Sequence, residues 1–252
     1  MLHNQFKLLF AAAVVAAMSS CSLFETDSSS SVGQVQNQIP VSDPVAHFHN
    51  AVLSGLLSSS TKAGEDIDTR TPEHISLAVD IALEEAQRLG YNESANSLLP
   101  LVAEGASSFF SEYDKLGFDV GIKYCGMLPY PESVNNELAE CFKLDLSDNG
   151  HRFEDCLSRL AAAETKSEAF ASQYSYAKLL DFYVSDKAIW LRTKDSNESR
   201  HFVATAVDVV VGAALSGLSG FIGALAAGTI GALASETVSR AKVETPDETN
   251  CD

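Results

Sequence analysis

His47-Phe48-His49 sets two imidazoles two residues apart, a spacing that suggests a metal-ligand pair. On a strand the two rings would share one side and could share one ion. On a helix they point about 200° apart and cannot. The pattern around them is helical, so the pair is expected to divide between two faces. Asp66-Ile67-Asp68 is a similar couple, set in a polar stretch where acids are ordinary, and Glu84 and Glu85 read as neighbours on a solvated helix face. Tyr174, Tyr176, Phe182 and Trp190 recur near helical spacing and read as core rather than as a ligand platform. No His-Glu-x-x-His, nucleophile elbow, phosphate loop or dinucleotide fingerprint occurs in the sequence. The expectation is therefore no catalytic residue, no metal and no cofactor.

The cysteines carry more. Cys21 stands apart near the N-terminus, and Cys125, Cys141, Cys156 and Cys251 follow. An even number in an oxidising compartment reads as a disulfide framework, for which three pairings are open. The favoured arrangement clusters Cys125, Cys141 and Cys156 and uses one of them to tie down Cys251. The absence of Cys-x-x-Cys in the sequence argues against a zinc ribbon or a thioredoxin-like redox site.

Asp145-x-Ser147-x-Asn149-Gly150 resembles the first half of an EF-hand calcium loop, with oxygen donors at positions 1, 3 and 5 and the turn glycine at 6. Position 12, which needs a bidentate Glu, is Cys156, and Glu154 and Asp155 fall out of register. A helix–helix turn with Asp148 or Asn149 capping the next helix is the simpler reading.

Around Cys21 the pattern is that of an address. Lys7 is followed by the uncharged run Leu8 to Met18 and then by Ser19 and Ser20. A positive start, a short apolar run and small residues make an export signal. Met18-Ser19-Ser20-Cys21 resembles the bacterial lipobox, with Met18 where Leu is more usual. The resemblance implies cleavage before Cys21, lipid such as palmitate on that cysteine, and anchorage by more than one acyl chain. Ser22, rather than Asp, implies the outer membrane, with the body in the periplasm or at the cell surface.

Removing residues 1–20 leaves about 230 residues, enough for one large or two small domains. The whole chain carries a net charge of −17, and loss of Lys7 makes the remainder one unit more negative. With no basic run, such a body is repelled by nucleic acid and by anionic headgroups. Residues 21–42 are Ser-rich and lack apolar periodicity, which reads as a flexible tether.

A helical body is expected over residues 43–200. Ser42-Asp43-Pro44 reads as a cap leading into Val45 to Leu57, with a polar loop from Ser58 to Arg70. Thr71-Pro72-Glu73-His74 is the clearest helix start. Behind it Ile75, Ala78, Val79, Ala82, Ala86 and Leu89 share one face, and Gly90 ends the helix. A further helix runs from Asn92 or Ser94 to about Lys115, with Pro100 as a kink or break. Residues 117–130 read as a loop or short extended piece. Pro131 to Phe142, His151 to Glu164 and Ser167 to Tyr183 complete the set, with Ser185 or Asp186 capping one more helix through Trp190. Strand alternation is almost absent, so the fold class is all-α: a disulfide-stapled helical bundle.

The segment 201–236 differs from the rest. From Val209 to Ala234 it runs twenty-six residues without a charge. Small residues recur every four, at Gly212, Ser216, Gly220, Ala224, Gly228 and Ala232, and bulky ones alternate with them. Each helical glycine costs roughly 1 kcal/mol relative to alanine, so six of them require a compensating close approach. The composition resembles the glycine zippers of envelope lipoproteins and of surface-exclusion lipoproteins. A single membrane span is permitted by length, about 39 Å against a bilayer core of about 30 Å. It would part Cys251 in the polar tail 237–252 from the other cysteines. The expectation is a helix, or a hairpin broken near Ser216 to Gly220, that is buried in the body or in a partner. Taken together these features read as a non-enzymatic envelope lipoprotein that binds a protein partner or itself. The alternatives are a membrane-active protein that inserts the glycine-rich segment, and an envelope hydrolase.

Overall fold

The computed structural model describes residues 43–63, 68–128, 130–147, 152–167, 175–192, 198–215 and 220–240. All regular structure among them is helical, with no strand. Cys21 and Cys251, with the expected export signal over residues 1–20 and the expected tether over 21–42, lie outside the described residues.

α1 spans Pro44–Ala63. The Asp43 carboxylate caps it, accepting from the Val45 and Ala46 amides at 2.8 and 3.1 Å. Val45, Phe48, Val52 and Leu56 form its buried face. The helix runs on through Ser58 and Ser59, whose hydroxyls donate back to Ser54 and Gly55 carbonyls, so the loop expected there begins later. α2, Pro72–Arg88, starts at Thr71, whose hydroxyl accepts from the His74 amide. It ends at Gly90, held at φ +90° while the Gly90 and Tyr91 amides close on Gln87 and Ala86 carbonyls. Its expected apolar face is the buried one.

α3, Ala95–Leu116, passes unbroken through Pro100. In the second turn that proline removes one intrahelical bond and crowds the carbonyl four residues earlier, without ending the helix. A 3₁₀ turn, Gly117–Asp119, leads into α4, Val120–Cys125, where a loop was expected. Val120, Tyr124 and Cys125 bury one side of this short helix, and its Gly121 lies under the Phe142 ring. α5, Glu132–Ser147, and α6, Arg152–Ala163, are joined by the Cys141–Cys156 disulfide. Among the described residues Cys125 is a buried thiol that faces the core, and Cys251, with which one of the clustered cysteines was expected to pair, lies outside them. Burial pushes the Cys125 thiol up to about 12.

α7 spans Tyr176–Trp190 and is capped by the Ser175 hydroxyl. Ser185 and Asp186, expected to cap a separate helix, are interior to it. Tyr176, Phe182 and Trp190 are core, as their spacing suggested, and Tyr174 lies outside the described residues.

α8, Glu198–Leu215, and α9, Gly220–Arg240, form the glycine-rich segment and extend it by about a turn beyond each expected boundary. Gly212 faces Gly231 and, farther from the connection, Asp208 faces Ser235, so the two run antiparallel. This hairpin is the centre of the bundle. α9 packs against α1, α2, α3 and α8, while α8 packs against α4 and α7 as well. α9 is long and apolar enough to cross a membrane, yet 83% of its apolar window is buried within the protein.

The compensating close approach is found at Gly228. A Cβ there would stand 2.7 Å from the Val45 carbonyl oxygen and 2.8 Å from the His49 amide nitrogen. Only glycine lets α9 lie backbone to backbone on α1. Gly212 and Ala232 are likewise enclosed, Ala224 is half-buried, and Ser216 lies outside the described residues. Gly220 is a correction to the expected stripe. It is exposed, a Cβ there would meet nothing within 4 Å, and its glycine is required by a φ of +81° at the helix start.

Candidate functional site

His47 and His49 leave α1 in different directions, as helical spacing requires. His47 turns outward to Glu85 of α2, Nε2 to Oε1 at 2.6 Å, and Glu85 is also gripped by Arg88. Glu85 is therefore a partnered, half-buried acid, and the Arg88 hydrogen bonds hold its carboxyl below the ordinary range. His49 turns inward, where its ring packs edge-on to Phe182 at 5.0 Å.

There it meets Asp186 of α7 and Asp208 of α8. His49 Nε2 lies 3.1 Å from Asp208 Oδ2, and Nδ1 lies 3.7 Å from Asp186 Oδ1. One ligating atom from each of the three residues falls within 4.8 Å of the others, and all three side chains have no exposed surface. Thr205 of α8 and Ser235 of α9, also fully buried, bring hydroxyls beside Asp186 and Asp208 respectively. Four helices thus converge on one polar point in an apolar core. Gly231 makes room for it, since a Cβ at that position would stand 3.1 Å from His49 Cδ2.

A hydrogen-bond relay fixes the imidazole. Ser185 Oγ donates to the Phe182 carbonyl at 2.8 Å and accepts from Asn50 Nδ2 at 3.0 Å. Asn50 is thereby turned so that its carbonyl oxygen faces His49 Nδ1, 3.0 Å away. Nδ1 must carry the hydrogen, because Asn50 Oδ1 can only accept. Nε2 is then a bare lone pair directed into the cluster.

The electrostatics are severe. Burial, then the neighbouring Asp208 charge, holds the Asp186 carboxyl well above its ordinary range. Burial does the same to Asp208 against the pull of Asp186 and Ser235, and burial lowers His49 against the pull of Asp186. His49 Nε2, all four carboxylate oxygens, Thr205 Oγ1 and Ser235 Oγ lack a hydrogen bond of good geometry. Isolated buried carboxylates are costly unless paired or bound to a metal.

A second buried polar group ties α9 to α2. His74 Nε2 lies 2.7 Å from Glu236 Oε2, Arg240 holds Glu236 Oε1 at 2.8 Å, and the Thr69 and Thr237 hydroxyls meet at 2.8 Å.

Of the residues singled out from sequence as possible ligands, only His49 enters the cluster, and Asp186 was named only as a helix cap. Asp68 caps its own turn by accepting from the Arg70 amide, and Asp66 lies outside the described residues. Asp145 and Ser147 belong to α5 rather than to a loop, and residues 148–151 are outside the described set. Asp186 and Asp208 were missed as site residues. A signal existed for one of them, because Asp208 is the sole Asp, Glu, Lys or Arg between Arg200 and Glu236. Comparison with protein-family models, curated proteins and solved structures finds no match to this chain.

Proposed function

We propose that this chain is a lipid-anchored, non-enzymatic module of the bacterial envelope, tethered through Cys21 to the outer membrane and working by binding or assembly. The observation that carries the reading is Met18-Ser19-Ser20-Cys21 after a short apolar run, followed by a Ser-rich tether leading to a folded body. Two structural features support it. The most reactive constellation, His49 with Asp186 and Asp208, has no exposed surface, so as folded it serves the fold and is closed to an external substrate. The glycine-rich segment is occupied by the protein's own helices, Gly228 lying on the α1 backbone. Contact with a partner therefore falls to the outer helices and not to this segment.

Cys21→Ser tests the anchor. The wild type incorporates labelled palmitate and sediments with outer membranes, while the variant is unlabelled and soluble. Unlabelled wild type with unchanged fractionation overturns the reading.

One observation favours insertion as a second reading: α9 has the length and hydropathy of a membrane span. Insertion requires the hairpin to leave α1 and α2, parting Glu236 from His74. Release of a trapped dye from lipid vesicles by the protein, abolished when α8 is cross-linked to α7, would favour it.

A further inference from the structure

We infer that His49, Asp186 and Asp208 form a buried binding site for one divalent first-row transition-metal ion, of the Zn²⁺ or Mn²⁺ class, tying α8 of the central hairpin to α1 and α7.

The Ser185–Asn50 relay places the hydrogen on Nδ1, so Nε2 presents a lone pair, and its near neighbour at 3.1 Å is a carboxylate oxygen. That separation is stabilised when something positive lies between or beside the two atoms. A shared proton would need Asp208 Oδ2 on the Nε2 axis, and it is off that axis, since Nε2 makes no hydrogen bond of good geometry. Ligands around a metal have just this relation: they lie about 3.3 Å apart around a tetrahedral ion, each lone pair directed at the ion and not at its neighbour.

The remaining observations are independent of that one. Asp186 interacts with Asp208 and the Thr205 hydroxyl, and Asp208 with the Ser235 hydroxyl, yet none of these side-chain contacts reaches good hydrogen-bond geometry. A neutral imidazole and two carboxylates balance a divalent charge, leaving a neutral unit in an apolar core. The Asn50 carbonyl on Nδ1–H is the kind of support that orients metal-bound histidines. The donor set is one nitrogen and carboxylate oxygens with no thiolate, which suits Zn²⁺, Fe²⁺ or Mn²⁺ over soft ions. A surface groove of about 320 Å³ is lined by His47, Asn50, Ser54, Ser185 and Arg192, so the outer members of the relay, Asn50 and Ser185, lie at the surface nearest the buried cluster.

The test is metal content of the purified full chain by plasma mass spectrometry, before and after dialysis against Zn²⁺ or Mn²⁺, with Mg²⁺ as a control. About one equivalent of a transition ion per chain is expected, removable by a strong chelator with a fall in melting temperature that the ion restores. Asp208→Asn and His49→Gln keep side-chain shape and should each lower occupancy at least tenfold. Glu236→Gln, which breaks the other buried pair, should keep its metal and its chelator response even though its melting temperature falls. Variants are compared by circular dichroism, and if Asp208→Asn does not fold, loss of the chelator response in Asp186→Asn decides. Less than a tenth of an equivalent in wild type after dialysis with either ion, together with no chelator response, overturns the site. Retention of a full equivalent by folded Asp208→Asn overturns it equally, since the ion then sits elsewhere.

Discussion

Two buried polar groups fasten the same apolar hairpin to the body, and they solve the problem differently. In one of them His74 of α2 meets Glu236 of α9, with Arg240 on the second carboxylate oxygen and a Thr69–Thr237 hydroxyl pair alongside. In the other, His49 of α1 meets Asp208 of α8 with Asp186 beside it, and none of the carboxylate oxygens has a good hydrogen bond. Each group combines an imidazole with a carboxylate in an apolar core. The first is complete in itself, its positive and negative members paired and oriented. The second has two carboxyl groups that burial holds well above their ordinary range and a neutral ring whose remaining proton is committed elsewhere. The difference shows what burial alone does not: a polar group in a core is structural when its partners are present, and is built for a further cation when they converge without meeting.

The largest effect is expected where the hairpin touches α1 backbone to backbone. Gly228→Leu forces the helices apart by more than a side chain can absorb, beyond the ordinary overpacking cost of about 1–3 kcal/mol. Loss of the cooperative thermal transition in circular dichroism checks it, and a variant melting within a few degrees of wild type would show that the approach is not tight.

The paired group is next. His74→Ala removes one partner of the buried Glu236, and breaking such a pair costs about 3–5 kcal/mol, read as a lowered denaturant midpoint. pH sharpens this. Burial alone would raise the Glu236 carboxyl, but His74 and Arg240 outweigh it and hold it below its ordinary value of 4.5. A depressed carboxylate contributes fully above the unfolded value, and that contribution is lost as pH falls through the folded one. Glu236→Gln should therefore be less stable than wild type near neutrality and lose less stability below about pH 4.5. Parallel pH profiles for the two proteins would contradict the pairing.

Reducing the Cys141–Cys156 bridge, which encloses a separation of 15 residues, should cost about 3 kcal/mol. Peptide mapping without reductant should find these two linked. Cys125 should be alkylated only after denaturation, because its thiol is both enclosed and held protonated. Rapid native alkylation of Cys125 would place it at the surface. The smallest effect belongs to Gly220→Ala, about 1 kcal/mol for a left-handed conformation in open space. The contrast with Gly228 separates two reasons for glycine on one helix.

Local chemistry made some of this legible in advance. α2 was readable from end to end because its cap at Thr71, its proline, its apolar face and its stop at Gly90 are all encoded within the helix itself. α4 was not, because Gly117, Gly121 and Pro129 resemble loop punctuation, and the burial of Val120 and Tyr124 that overrides them comes from other helices. Ser185-Asp186 suggested a cap since those residue types favour caps, whereas Asp186 is an interior residue fixed by distant partners. The small-residue repeat announced close packing, but not that Gly228 answers to α1 and Gly220 to a turn. The cluster stayed hidden because its three members lie on helices far apart in the chain. Only Asp208, the sole Asp, Glu, Lys or Arg between Arg200 and Glu236, marked it.

The most direct test of this account is hydrogen exchange on the chain beginning at residue 22, in buffer without detergent. If the glycine-rich hairpin is the enclosed centre of a helical body, the chain is soluble and the amides of Leu225 to Leu233 are among the slowest to exchange. A chain that requires detergent, or one in which that stretch exchanges as fast as the helix ends, would contradict it.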